Sequence, residues 1–114
     1  MLDELFLYTT NSYDHFPWLD IPMHFIGGAA MAYSYTVFLK MLRARGCMGE
    51  MDRIIKILFI VSLVALTAVV WEWHEFFRDT FFGEHTQLSE ADTMGDFFMG
   101  LLGGVLGALA LTRR

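Results

Sequence analysis

The sequence has a single cysteine, Cys47, which excludes an intrachain disulfide and leaves one thiol beside Arg45 in a short loop, read as an inert surface group. Charge is scarce too: 18% of the 114 residues are charged, against 55% hydrophobic and 16% aromatic. A soluble domain of this length carries more. Phe25 to Leu39, Ile57 to Trp71 and Phe97 to Thr112 contain no Asp, Glu, Lys or Arg at all. The opening MLDELFLYTTNSYDHFPWLD lacks a basic n-region and a small-residue cleavage site, so no signal peptide is expected. The first apolar segment is expected to direct its own insertion.

Each uncharged stretch reaches the roughly 20 residues a spanning helix needs once its amphipathic ends are added. The pattern predicts an all-α polytopic membrane protein with three transmembrane helices, at about 21–42, 54–77 and 93–112. They form a transmembrane domain over 21–114, preceded by an N-terminal interfacial segment over 1–20 in which LDELFLY reads as a short surface helix. The competing reading is a soluble three-helix bundle with buried central helices, which would dissolve without detergent.

The few charges are sharply partitioned. Lys40, Arg43, Arg45, Arg53 and Lys56 join the first two helices, and Arg113 and Arg114 end the chain, making seven of the eight basic residues. The excess of Lys and Arg on cytoplasmic segments predicts that these lie inside. Eleven of the thirteen acids fall on the other side, with Arg78 as the only base there. The N-terminus is thus expected outside and the C-terminus in the cytoplasm, in a cell (inner) membrane. An acidic outer face repels nucleic acid, and an anionic partner there needs a bridging cation. Tyr8, Tyr13, Phe16 and Trp18 before the first helix, and Trp71 and Trp73 closing the second, suit the headgroup level.

Helical rise turns the sequence into a ruler. His24 lies 16 residues from Lys40, Glu72 lies 16 from Lys56, and Asp96 lies 17 from Arg113. At 1.5 Å per residue all three sit roughly 24 to 26 Å from their inner anchors, at the outer edge of a core about 30 Å thick. Asp20 and His24, Glu72 and Glu75, and Asp92 and Asp96 each share a helix face by their spacing. His74 points elsewhere, towards the interface or Arg78. Ionisable groups at such depth are costly unless they meet a partner, which predicts a shared proton network or a bound cation. Gly100 with Gly104, and Gly103 with Gly107, form overlapping small-xxx-small pairs that predict close packing against Gly28 and Ala32 of the first helix. Spare glycine surface could seat a further helix or a second copy.

Three motifs stand out: D-x-x-x-H-F (Asp20, His24, Phe25), W-E-x-x-E-F (Trp71, Glu72, Glu75, Phe76), and D-T-x-x-D-F (Asp92, Thr93, Asp96, Phe97) followed by G-G-x-x-G-A (Gly103, Gly104, Gly107, Ala108). In combination they resemble the YjdF-type inner-membrane proteins and, more distantly, VanZ-like proteins, over about residues 20 to 110. YjdF-type members usually carry additional upstream helices. The resemblance therefore implies either a self-sufficient three-helix unit or helices supplied by a partner. VanZ is linked to glycopeptide tolerance.

Three functional readings follow. In the first, Asp20, His24, Glu72, Glu75, Asp92 and Asp96 form an outward-facing site for Zn²⁺, Mn²⁺ or Fe²⁺, or for Mg²⁺ if waters complete the shell. Such a metal, at headgroup depth, would hold a lipid phosphate or activate water against it. A di-iron carboxylate site is disfavoured, because the order Glu72-Trp73-His74-Glu75 contains no Glu-x-x-His. No residue is assigned a catalytic role. In the second, the protein is a structural or accessory subunit whose polar cluster fixes helix register, in a homo-oligomer or a larger membrane complex. The third, an ion or proton pathway, is weakest, since Ser62 and Thr67 are the only polar side chains midway along the second helix and are expected to bond their own backbone.

Overall fold

In the computed structural model the described residues are 17–113. The expected surface helix LDELFLY, with most of the 1–20 segment, lies outside them. The rest is helical: a 3-10 turn at Pro17–Leu19, then α1 (Asp20–Ala44), α2 (Arg53–Phe82) and α3 (Glu90–Leu111). Each of the three is long and apolar enough to cross a membrane.

The helix ends have local causes. Pro22 falls in the first turn of α1, where a missing N–H costs nothing. At the other end Gly46 takes a left-handed φ of 71°, its N–H bonding Arg43 O at 3.0 Å while Cys47 N–H bonds Leu42 O at 2.9 Å. Those two bonds satisfy the last carbonyls of α1. α2 runs to Phe82, five residues beyond the expected 77, because nothing in WEWHEFFRDTFF breaks a helix until Gly83, which turns the chain at φ 66°. Its 30 residues span about 45 Å, more than the bilayer core, so α2 projects past it. α3 starts at Glu90, earlier than the expected 93, because the Ser89 hydroxyl accepts the Asp92 N–H at 3.1 Å and caps the helix there.

Packing is dominated by α1 against α3; α2 leans mainly on α3 and touches α1 least. Glycines make this closeness possible. A Cβ on Gly28 would fall on the Gly100 carbonyl, and one on Gly103 would fall on the Phe25 carbonyl. Gly107 lies against Ala29 and Ala32, while Gly104 turns towards Val64 of α2, where a Cβ would come within 2.7 Å. Ala32, Leu39, Ile60, Val64 and Ala108 are the buried apolar residues, and long side chains such as Ile54, Leu58, Leu66, Val70 and Phe77 face outward. An apolar exterior around a thin, small-residue core is the pattern of a protein whose solvent is lipid, and the reverse of a soluble bundle.

Several hydroxyl groups find partners within this frame. Ser62 and Thr67 donate to Leu58 O and Leu63 O of their own helix. With its proton so committed, Thr67 Oγ1 accepts from the Tyr35 hydroxyl, joining α1 to α2. At the end carrying the bases, Arg53 donates to Thr112 O at 2.9 Å and Leu109 O at 3.4 Å, neutralising the carbonyl end of α3.

Gly103→Val should force α1 and α3 apart and destabilise the fold by about 1 to 3 kcal/mol, the usual cost of overpacking. Gly27→Ala, at a position with open space around it, should be neutral. Thermal unfolding in a mild detergent, followed by circular dichroism, compares the two.

Candidate functional site

The glycine crossing also sets the register of the polar residues. Gly28 meets Gly100, and one helical turn earlier on each helix lie His24 and Asp96. His24 Nε2 stands 3.6 Å from Asp96 Oδ1 and 3.4 Å from Asp20 Oδ1, the latter one turn before it on α1. One ligand atom from each of Asp20, His24 and Asp96 lies within 4.8 Å of the others. Asp96 is buried and the other two are half-buried.

α2 brings Glu72 and Glu75 to the same end, both buried. Glu75 lies within electrostatic range of His24, and Glu72 within range of His24, Asp20 and Asp92. Neither carboxylate belongs to the tight triad, and each has a hydrogen-bond donor. The Trp71 indole N–H donates to Glu75 Oε1 at 2.9 Å, and the Gln87 amide donates to Glu72 Oε2 at 2.9 Å and to Glu72 O at 3.3 Å. Asp92, also expected in the site, lies within electrostatic range of Glu72 and Asp96, and its Oδ2 accepts the Leu88 N–H at 3.4 Å at the start of α3. His74 is exposed, its ring 5.0 Å from that of Trp71.

Gln87 was not anticipated from the sequence. It reaches Glu72 because the loop between α2 and α3 folds back on α2. Asp79 accepts three hydrogen bonds from that loop, from Thr86 N at 2.8 Å, Thr86 Oγ1 at 2.6 Å and Gln87 N at 2.9 Å. Arg78 pairs with Glu84 beside it. The only pointer in the sequence was indirect: a glutamate as deep as Glu72 needs a donor.

A family model described as a predicted membrane protein (DUF2238) matches residues 5–114. The chain belongs to that family. No curated protein and no solved structure matches it. In this DUF2238 chain the match takes in all three helices and every polar residue described above, so the cluster lies within the family's own extent.

Chemically, two Asp oxygens and one imidazole nitrogen converge, with two further carboxylates close by. With metal–ligand bonds of 2.0 to 2.2 Å, a tetrahedral site separates its ligand atoms by about 3.4 Å. The His24 to Asp20 and His24 to Asp96 separations of 3.4 and 3.6 Å match that edge. The same distances also suit an imidazole held between two carboxyl groups.

Asp79→Ala removes the acceptor for three loop hydrogen bonds at once. Amide exchange at Thr86 and Gln87 should quicken by about tenfold or more, while His74→Ala should leave it unchanged. Hydrogen–deuterium exchange in detergent resolves the difference.

Proposed function

We propose that this protein holds a divalent metal ion at the outer end of its helix bundle, on Asp20, His24 and Asp96, with Glu72 and Glu75 as further carboxyl groups beside it. The observation that carries this is the triad's geometry: three ligand atoms of mixed nitrogen and oxygen type, from two helices, with the His24 nitrogen 3.4 and 3.6 Å from the two carboxylate oxygens, separations a Zn²⁺, Mn²⁺ or Fe²⁺ ion spans. At headgroup depth such an ion would hold the phosphate of a lipid, and a water on it would be acidified for attack. Asp92, hydrogen-bonded at the start of α3, joins the set only if it turns from the Leu88 N–H. The likeness to YjdF-type proteins, and more distantly to VanZ-like ones, belongs to this reading. So does the placing of the protein in a cell (inner) membrane as a three-helix domain over 21–114, with its N-terminus outside.

One observation favours a second reading. Trp71 and Gln87 already spend their donors on Glu75 and Glu72, as a polar plug in an accessory subunit would. On that view the lipid-facing surface meets other transmembrane helices of a larger complex or a second copy. An ion or proton pathway fits less well, because the serine and threonine hydroxyls at mid-depth donate to their own helices and the Tyr35 hydroxyl is bonded to Thr67.

Elemental analysis of detergent-purified protein should find near-stoichiometric divalent metal, with most of it lost in His24→Gln, Asp96→Asn and Glu72→Gln. Metal-free protein that keeps its fold and its companions would overturn the metal reading in favour of the second. Orientation has a built-in reporter, the exposed Cys47 in the α1–α2 loop. A membrane-impermeant maleimide should leave it unlabelled in intact cells, yet should label Ser89→Cys in a Cys47→Ser background.

A further inference from the structure

The opposite end of the bundle encloses a second polar feature. A cavity of about 120 Å³ opens where α1, α2, the loop joining them and the end of α3 meet. Three cations line it, Lys40 and Arg43 from α1 and Lys56 from α2, with Leu39, Ile60 and Leu111 forming an apolar wall. No acidic residue lines it among the described residues. Arg43 pairs with Glu50 and Arg53 is committed to the carbonyl end of α3. The ammonium groups of Lys40 and Lys56 have no hydrogen-bond or ion-pair partner among the described residues. The two hydroxyls in the lining already donate to their own helices, Thr36 to Ala32 O and Thr112 to Ala108 O. What the cavity offers a guest is therefore positive charge beside an apolar wall.

We propose that this cavity binds a phosphate group, and that Lys40 and Lys56 are its ligands. Lysines from two different helices line one cavity, and compact ammonium heads are effective point-charge partners for phosphate. A cavity of about 120 Å³ has room for several waters, whose place a phosphate group would take. The apolar wall and the position at the helix ends suit the phosphate of an anionic lipid, and basic pockets between transmembrane helices bind such headgroups. Free phosphate offers the same chemistry without the chain. The site is separate from the Asp20, His24 and Asp96 triad and does not depend on metal there.

Native mass spectrometry of the full chain released from detergent tests this, with dioctanoyl phosphatidylglycerol, dioctanoyl phosphatidylcholine and inorganic phosphate as probes. Phosphatidylglycerol should form a one-to-one adduct that raised salt weakens, that phosphatidylcholine does not match, and that Lys40→Gln with Lys56→Gln reduces about tenfold. Arg45→Gln with Arg113→Gln, which alters the same net charge outside the cavity, should leave the adduct intact. Phosphate bound in place of lipid, and lost in the lysine variant, would make free phosphate the guest and overturn the lipid source. Equal adducts from both lipids in the wild-type protein, or equal loss in both charge variants, would overturn the site itself. The wild-type lipid and salt comparisons stand even if the lysine variant fails to fold.

Discussion

Everything in this bundle depends on two backbones touching. In lipid no hydrophobic effect draws apolar helices together, so association rests on packing, hydrogen bonds and shape. The contact of Gly28 with the Gly100 carbonyl, and of Gly103 with the Phe25 carbonyl, supplies that shape. A side chain at either glycine would collide with main chain, which cannot move aside as a rotamer can. The crossing point is consequently fixed to within a fraction of a turn, and residues one turn away on each helix inherit its precision.

The polar cluster is that inheritance. His24 and Asp96 are neighbours because Gly28 and Gly100 are, and Asp20 joins through the helical repeat of α1. α2 contributes differently. Its acids reach the same end on a helix that leans mainly on α3, and they are steadied by donors from Trp71 and from the folded-back loop. Rigid packing places one half of the cluster and hydrogen bonding holds the other half. A metal ion bound by the triad would sit on the rigid half.

Much of this was legible in the sequence. Three uncharged runs defined the spans, because charge in lipid is costly enough to be nearly absent from them. Counting from Lys40 and Arg113 put His24 and Asp96 at one depth, since a helix rises uniformly. Gly100, Gly103, Gly104 and Gly107 pointed to α1 as the close neighbour. What escaped was set by particular tertiary contacts. The Asp79 clasp on Thr86 and Gln87 follows no periodicity, so the donor for Glu72 was not visible, nor was the use of Asp92 at the start of α3. α2 outruns its uncharged run by more than a turn because the helix stops only where Gly83 permits a turn.

The ties on α3 bear on the order in which the protein is made. Arg53, at the start of α2, holds the carbonyl end of α3, and Gln87, fixed to α2, lies just before its first turn. Its middle is pressed against α1. α1 and α2, synthesised before α3, share the smallest of the three interfaces. Until α3 is made, His24 lacks Asp96 and Gly28 lacks its contact with Gly100. α3 brings the third residue of the triad, so no nascent chain short of α3 carries Asp20, His24 and Asp96 together.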